Sequence, residues 1–287
     1  MKVTDIILSD RVTVSCELFP PKIGKPLADI KRIVREIAQL HPSFVSVTCS
    51  AGGSTGDRTV EVAKEVQLVN GVPALAHMTC VSSDREDVRR TLKALEAGGV
   101  KNILALRGDL PADMSQRKSD FLHASDLIEE IKRLGDFCVG GACYPEGHPE
   151  SPNKLSDLDG LKRKVDSGCE FLTTQMFFDN NILYNFLFRL LKHGIEIPVI
   201  AGIMPITNAK QVQSTLKLSG TLLPPRFRAI VDRFGENPAA MKQAGIAYAT
   251  EQIIDLIANS VSHIHIYTMN KPDIAGQIMQ NLSEIFQ

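Results

Sequence analysis

The sequence predicts an α/β fold of the (β/α)8 (TIM) barrel type, with extra helices between strands seven and eight. Three observations predict it. Eight short β-rich runs alternate with stretches whose apolar residues recur at three- and four-residue spacing. A length of 287 residues, 44% of them hydrophobic, suits one such barrel with a full core. No G-x-G-x-x-G follows any of the runs, so a doubly wound dinucleotide-binding sheet has no support. No Pro/Gly/Ser tract divides the chain, and residues 1–287 are expected to form one domain.

The strand candidates in order are Val12–Phe19, Phe44–Ser50, Pro73–Cys80, Asn102–Asp109, Phe137–Tyr144, Phe171–Phe178, Val199–Pro205 and His263–Met269. Between them lie helical stretches such as Leu27–Leu40, Arg58–Val69, Asp84–Ala97, Ser125–Leu134 and Asp157–Ser167. Pro224–Phe234 and Pro238–Asn259 are the additional helices before the last strand. One long loop is expected, Leu110–Leu122, rich in Asp, Ser, Lys and Arg, over the mouth of the barrel.

Composition narrows the function. A net charge of -1 without a long basic run argues against nucleic acid as the main partner. No apolar segment is long enough to span a bilayer, and Met1–Arg11 has no signal-peptide block, so a cytoplasmic protein is expected. The six cysteines form no C-x-x-C pair, which fits a reducing compartment rather than a disulfide framework.

Side chains alternate along a strand, and in a barrel the apolar set faces the helices. Val12, Val14, Cys16 and Leu18 form that set in strand one, leaving Thr13, Ser15 and Glu17 inside. Val45, Val47 and Cys49 oppose Ser46 and Thr48, and Ala74, Ala76, Met78 and Cys80 oppose His77 and Thr79. Leu104 and Leu106 oppose Arg107 and Asp109, and His263, His265 and Tyr267 oppose Ile264 and Ile266. The polar set expected at the C-terminal mouth is Glu17, Thr48, His77, Arg107, Asp109, Tyr144 and Gln175. Barrel enzymes place their sites at this end. Glu17 is the most informative member, because a carboxylate at the tip of a buried strand is costly unless paired or used. The same alternation puts Cys16, Cys49, Cys80 and Cys143 under the helices as buried thiols, so no metal site is expected.

The motifs at these strand tips resemble those of bacterial methylenetetrahydrofolate reductases. They include Glu17-Leu18-Phe19-Pro20-Pro21, Ala76-His77-Met78-Thr79-Cys80, Leu106-Arg107-Gly108-Asp109-Leu110-Pro111, Tyr144-Pro145-Glu146-Gly147-His148-Pro149-Glu150 and Thr174-Gln175-Met176-Phe177-Phe178-Asp179. Gly202-Ile203-Met204-Pro205 and His265-Ile266-Tyr267-Thr268-Met269-Asn270 continue the series to the end of the chain.

The resemblance implies an FAD-bearing barrel that reduces 5,10-methylenetetrahydrofolate to 5-methyltetrahydrofolate with NADH. Glu17 would be the general acid that protonates a folate nitrogen, and burial favours the protonated form of a carboxyl. Asp109 would sit near flavin and pterin, as both a catalytic and a cofactor-binding group. Thr48, His77, Arg107, Gly108, Ala124, Tyr144, His148, Asp157, Arg163 and Lys164 map to flavin-binding positions. Gln175, Gln211 and Lys271 map to substrate-binding positions.

Four residues depart from the well-studied bacterial pattern: Lys271 replaces Arg, Cys49 and His123 replace Tyr, and Thr215 replaces Phe. They leave open NADH, NADPH or an electron-delivering partner subunit as the reductant. A homo-oligomer is expected, and the regulatory domain of eukaryotic enzymes is expected to be missing. A zinc-dependent barrel methyltransferase and a non-catalytic folate- or flavin-binding subunit are the alternatives.

Overall fold

The computed structural model describes residues 1–9, 11–21, 25–49, 56–81, 83–109 and 119–286. Eight parallel strands close into a barrel in sequence order. They are β1 (Thr13–Leu18), β2 (Phe44–Val47), β3 (Ala74–Thr79), β4 (Asn102–Leu106), β5 (Cys138–Cys143), β6 (Phe171–Thr174), β7 (Val199–Ile203) and β8 (His263–Ile266). Helix α1 (Val3–Ile7) precedes them, and α2 (Ala28–Ala38), α3 (Gly56–Lys64), α4 (Arg85–Ala97), α5 (Ala124–Leu134), α6 (Lys154–Asp166) and α7 (Asn180–Lys192) follow successive strands. Three helices, α8 (Ala209–Ser219), α9 (Pro225–Phe234) and α10 (Pro238–Ala258), separate β7 from β8, as expected, and α11 (Pro272–Asn281) ends the fold.

The alternation read from the sequence holds in β1, β2, β3 and β8. Val14, Cys16, Leu18, Val45, Val47, Ile103 and Ala105 pack outward with helix residues such as Val34, Leu92 and Ile131. Buried thiols belong to this layer: burial pushes Cys16 up to about 12 and raises Cys143 and Cys169. The helices start on local signals. The Asp84 carboxylate accepts from Asp87 N–H at the start of α4, and Asn237 caps α10 ahead of Pro238.

The interior divides along the barrel axis. At the N-terminal end, Val3 and Ile7 of α1 plug the barrel against Phe44, Leu75, Leu104, Cys138, Phe171 and Ile200. Asn102 orients this plug, accepting from Val3 N–H at 2.8 Å and donating to the Ala74 carbonyl at 3.1 Å. The plug helix is too short for periodicity to reveal it. Above the apolar floor the interior turns polar, with Glu17, His77 and His265 buried there.

The structure corrects one parity assignment. β4 ends at Leu106, with Leu104 and Leu106 facing inward, so Arg107 and Asp109 are not inward-facing strand residues. They lie in the following loop, which Gly108 turns with φ +85. Thr48, Tyr144 and Gln175 also lie just past their strands. Residues 110–118 of the expected Leu110–Leu122 loop, and Ser50 at the end of strand candidate two, fall outside the described residues.

Candidate active site

Glu17 is 6% exposed, near the C-terminal tip of β1, opposite Ser46 of β2. Its Oε2 stands 3.9 Å from Nε2 of His77 and 4.0 Å from Nε2 of His265. Two buried imidazoles from β3 and β8 thus flank one carboxylate oxygen. Burial lowers His77 to about 4, although Glu17 opposes the shift, so His77 is neutral over the ordinary pH range. His77 Nε2 is buried and has no hydrogen-bond partner among the described residues. A polar atom in that position is costly unless something fills the mouth above it.

The backbone beside Glu17 is tied to the β8 loop. Thr268 Oγ1 donates to the Glu17 carbonyl at 2.6 Å. Asn270 both accepts from Phe19 N–H at 2.8 Å and donates to the Phe19 carbonyl at 2.9 Å. Met269 and Asn270 reach this clamp through φ values of 52 and 56, in the left-handed region. Tyr267 lies across the site with its hydroxyl donating to the Thr174 carbonyl at 2.5 Å. Its ring occupies the space a Cβ on Gly202 would need, at 2.6 Å from that position.

A second polar group gathers around β4, β5 and α6. Arg107 donates to both oxygens of Glu150, at 2.5 and 2.8 Å, and its Nε donates to the Gly108 carbonyl at 3.2 Å. The ion pair raises Arg107 and lowers Glu150. Glu150 N–H donates to His148 Nδ1 at 3.1 Å, and His148 N–H to Asp157 at 3.3 Å. Tyr144 meets His148 edge to face, with ring centroids 4.6 Å apart. Lys164 reaches from α6 to donate to the Ala142 carbonyl at 2.7 Å, and burial lowers its pKa. Burial raises Asp157, opposed by the His148 N–H bond and the Lys164 charge.

The structure therefore joins Arg107, Tyr144, His148, Asp157 and Lys164, and separately Glu17 and His77. Gly108 belongs with the first group, and a Cβ there would sit 2.8 Å from Val81 Cγ1. Thr48 is buried just beyond β2, and Ala124 is buried at the first turn of α5. Gln175 is half-buried past β6, its Oε1 accepting from Met176 N–H at 3.0 Å. Gln211 lies on α8, Lys271 stands at the residue before α11, and both are half-buried. Asp109 is exposed. Arg163 is exposed on α6, and no described contact draws it into the polar group.

Sequence reading overlooked Glu150, Thr268 and Asn270 as working parts, although all three stand inside the quoted motifs. It placed His265 and Tyr267 inside the barrel without giving them partners. The partners of His265 come from strands more than two hundred residues away and that of Tyr267 from a strand 93 residues away, which local pattern does not encode.

An eight-stranded parallel barrel whose C-terminal mouth holds a buried carboxylate between two histidines defines a (β/α)8 enzyme. The methylenetetrahydrofolate reductase family model matches residues 2–283, and this chain belongs to that family. The 5,10-methylenetetrahydrofolate reductase of Pectobacterium carotovorum subsp. carotovorum is 33% identical over 275 residues, covering 96% of this chain and 91% of the relative. The Escherichia coli (strain K12) enzyme is 31% identical over 95% of this chain and 91% of its own length. Methylenetetrahydrofolate reductase (NADH) 1 of Arabidopsis thaliana is 34% identical over 99% of this chain, which spans 51% of that relative. Among solved structures, a Clostridium thermocellum protein that binds two copies of 5-methyl-5,6,7,8-tetrahydrofolic acid has a TM-score of 0.68. It covers 99% of this chain and 100% of its own at 14% identity, a likeness of fold alone. No helix among the described residues is long and apolar enough to cross a membrane.

Proposed function

We propose that this chain reduces 5,10-methylenetetrahydrofolate to 5-methyltetrahydrofolate, with FAD as its cofactor, NADH as reductant and Glu17 as general acid. The observation that carries the reading is the buried Glu17 carboxylate, held at the barrel mouth by a clamped backbone. A carboxyl in that position can hand a proton to a folate nitrogen and open the five-membered ring. The resulting iminium carbon then accepts hydride. Water re-entering after product release returns a proton to Glu17.

The residues present suit a flavin. His77 offers a buried, unpartnered Nε2 at the mouth, and Gly108 keeps the β4 loop free of a side chain that Val81 would obstruct. Arg107 and Lys164 supply positive charge suited to a diphosphate, Tyr144 and His148 a ring edge, and Thr48, Asp157 and Ala124 further polar and backbone contacts. When bound, the flavin supplies the hydride transfer. Asp109, next to Gly108, would supply a carboxylate to the ring N–H groups of flavin or pterin. Gln175 presents an amide suited to the donor and acceptor edge of a pterin, and Gln211 and Lys271 would supply further polar groups to the folate. The relative named for NADH supports that donor.

The test is optical. A yellow protein whose flavin absorbance bleaches on adding NADH, and recovers on adding 5,10-methylenetetrahydrofolate, is the expected result. Bleaching by another reductant but not by NADH would point to an electron-delivering partner. A colourless protein that binds no added FAD would contradict the reading.

A further inference from the structure

His265 is 2% exposed and held on every side. Its Nδ1 is 2.7 Å from Ser15 Oγ, its Nε2 is 3.2 Å from Ser46 Oγ, and its ring stacks on Phe44 with centroids 6.2 Å apart and planes 11° apart. Ser15 lies opposite His265 across the β1–β8 pair, so strand register sets this contact. Ser15 Oγ is also 3.1 Å from the Ile264 carbonyl oxygen.

Of the two tautomers open to this imidazole, the Ile264 contact favours one. A carbonyl only accepts, so the single Ser15 proton goes to Ile264. Ser15 Oγ must then accept from His265, which puts the ring proton on Nδ1. Nε2 is left with its lone pair, and Ser46 O–H donates to it. The reverse assignment would set two lone pairs against each other at the Ile264 contact. In that arrangement the nitrogen facing Glu17 Oε2 at 4.0 Å carries no hydrogen.

We propose that Ser15 is a positioning residue that acts through His265, withholding the imidazole N–H from Glu17. The inference rests on reading Glu17 as the acid. A ring turned to the other tautomer would present an N–H to the Glu17 carboxylate and favour the form that has no proton to give. With Ser15 in place, His265 walls the acid without pairing with it. Among the described residues, the titratable side chains facing Glu17 are His77 from β3, His265 from β8 and Tyr267 just past β8. Of these, His265 has its tautomer fixed by a neighbouring hydroxyl.

The experiment has two parts. Protein labelled with 15N-histidine has seven imidazoles, and the His265 signals are assigned by their loss in H265Q. The expected spectrum shows protonated Nδ1 and bare Nε2 for His265. Second, the folate half-reaction of the holoenzyme is followed against pH in Ser15→Ala and Ser15→Thr. In Ser15→Ala the alkaline limb is expected to move down by about one pH unit, a roughly tenfold slower rate at a fixed pH on that limb, with flavin reduction by NADH unchanged. Ser15→Thr keeps a hydroxyl and is expected to restore the limb. A wild-type spectrum with the proton on Nε2 overturns the proposal even if no Ser15 variant folds. So does an unmoved limb in Ser15→Ala. Glu17→Gln separates the two failures: if it abolishes the folate half-reaction while Ser15→Ala changes nothing, the acid stands and the tautomer role falls. If Glu17→Gln is as active as wild type, the acid assignment itself is wrong.

Discussion

The His77 imidazole has a definite thermodynamic signature. Unfolded, it takes a proton near the ordinary value of 6.5, but in the fold burial delays protonation to about 4. Between those values the unfolded chain binds more protons, so stability falls as pH drops through 6.5 and levels off below about 4. The shift corresponds to roughly 3 kcal/mol. His148 and His263, lowered by burial, act in the same direction. Urea unfolding of His77→Asn at several pH values is expected to show a shallower acid loss than wild type. An equally steep loss would mean that His77 is not the buried neutral group. At this scale much of the site was legible, because alternation alone put Glu17 and His77 on the interior face. Arg107 and Asp109 were misplaced because Leu104 and Leu106 pack on the apolar floor inside the barrel rather than under the helices, and a strand's end is not encoded in its period.

Elements meet at close backbone contacts, and α10 offers the sharpest one. A Cβ on Gly245 would lie 1.9 Å from the Ile206 carbonyl oxygen, so α10 is seated directly on the backbone after β7. Gly245→Ala is expected to lower stability by roughly 1–3 kcal/mol, measured by denaturant midpoint. No loss would mean the helix is not seated there. The clamp between the β8 loop and Phe19 gives a second test at this scale. Asn270→Ala removes two hydrogen bonds that hold the chain two residues after Glu17. The folate half-reaction is expected to slow severalfold more than flavin reduction by NADH, and an equal slowing of both would place Asn270 outside the control of Glu17. The helices and strands themselves were readable from period and caps. The clamp was not, since it joins residues 251 positions apart through side-chain geometry.

Across the whole molecule, barrel closure separates stability from chemistry. The N-terminal floor is sealed by α1, while the polar residues collect at the opposite end. The pair Val3→Ala and Ile7→Ala is expected to cost a few kcal/mol through lost burial and cavity formation, with the two half-reactions intact in whatever remains folded. Selective loss of folate reduction in that pair would contradict the separation. Eight alternating runs made the barrel legible, and ordered strand-tip motifs made the family legible. The α1 plug stayed hidden because five residues carry less than two turns of pattern.

The most direct measurement is the pair of half-reactions in Glu17→Gln, each followed by flavin absorbance in a stopped-flow instrument. The expected result is near wild-type bleaching by NADH and a loss of roughly 10²–10⁴-fold in reoxidation by 5,10-methylenetetrahydrofolate. Equal loss in both halves, or wild-type reoxidation by the folate, would contradict the assignment of Glu17 as the acid.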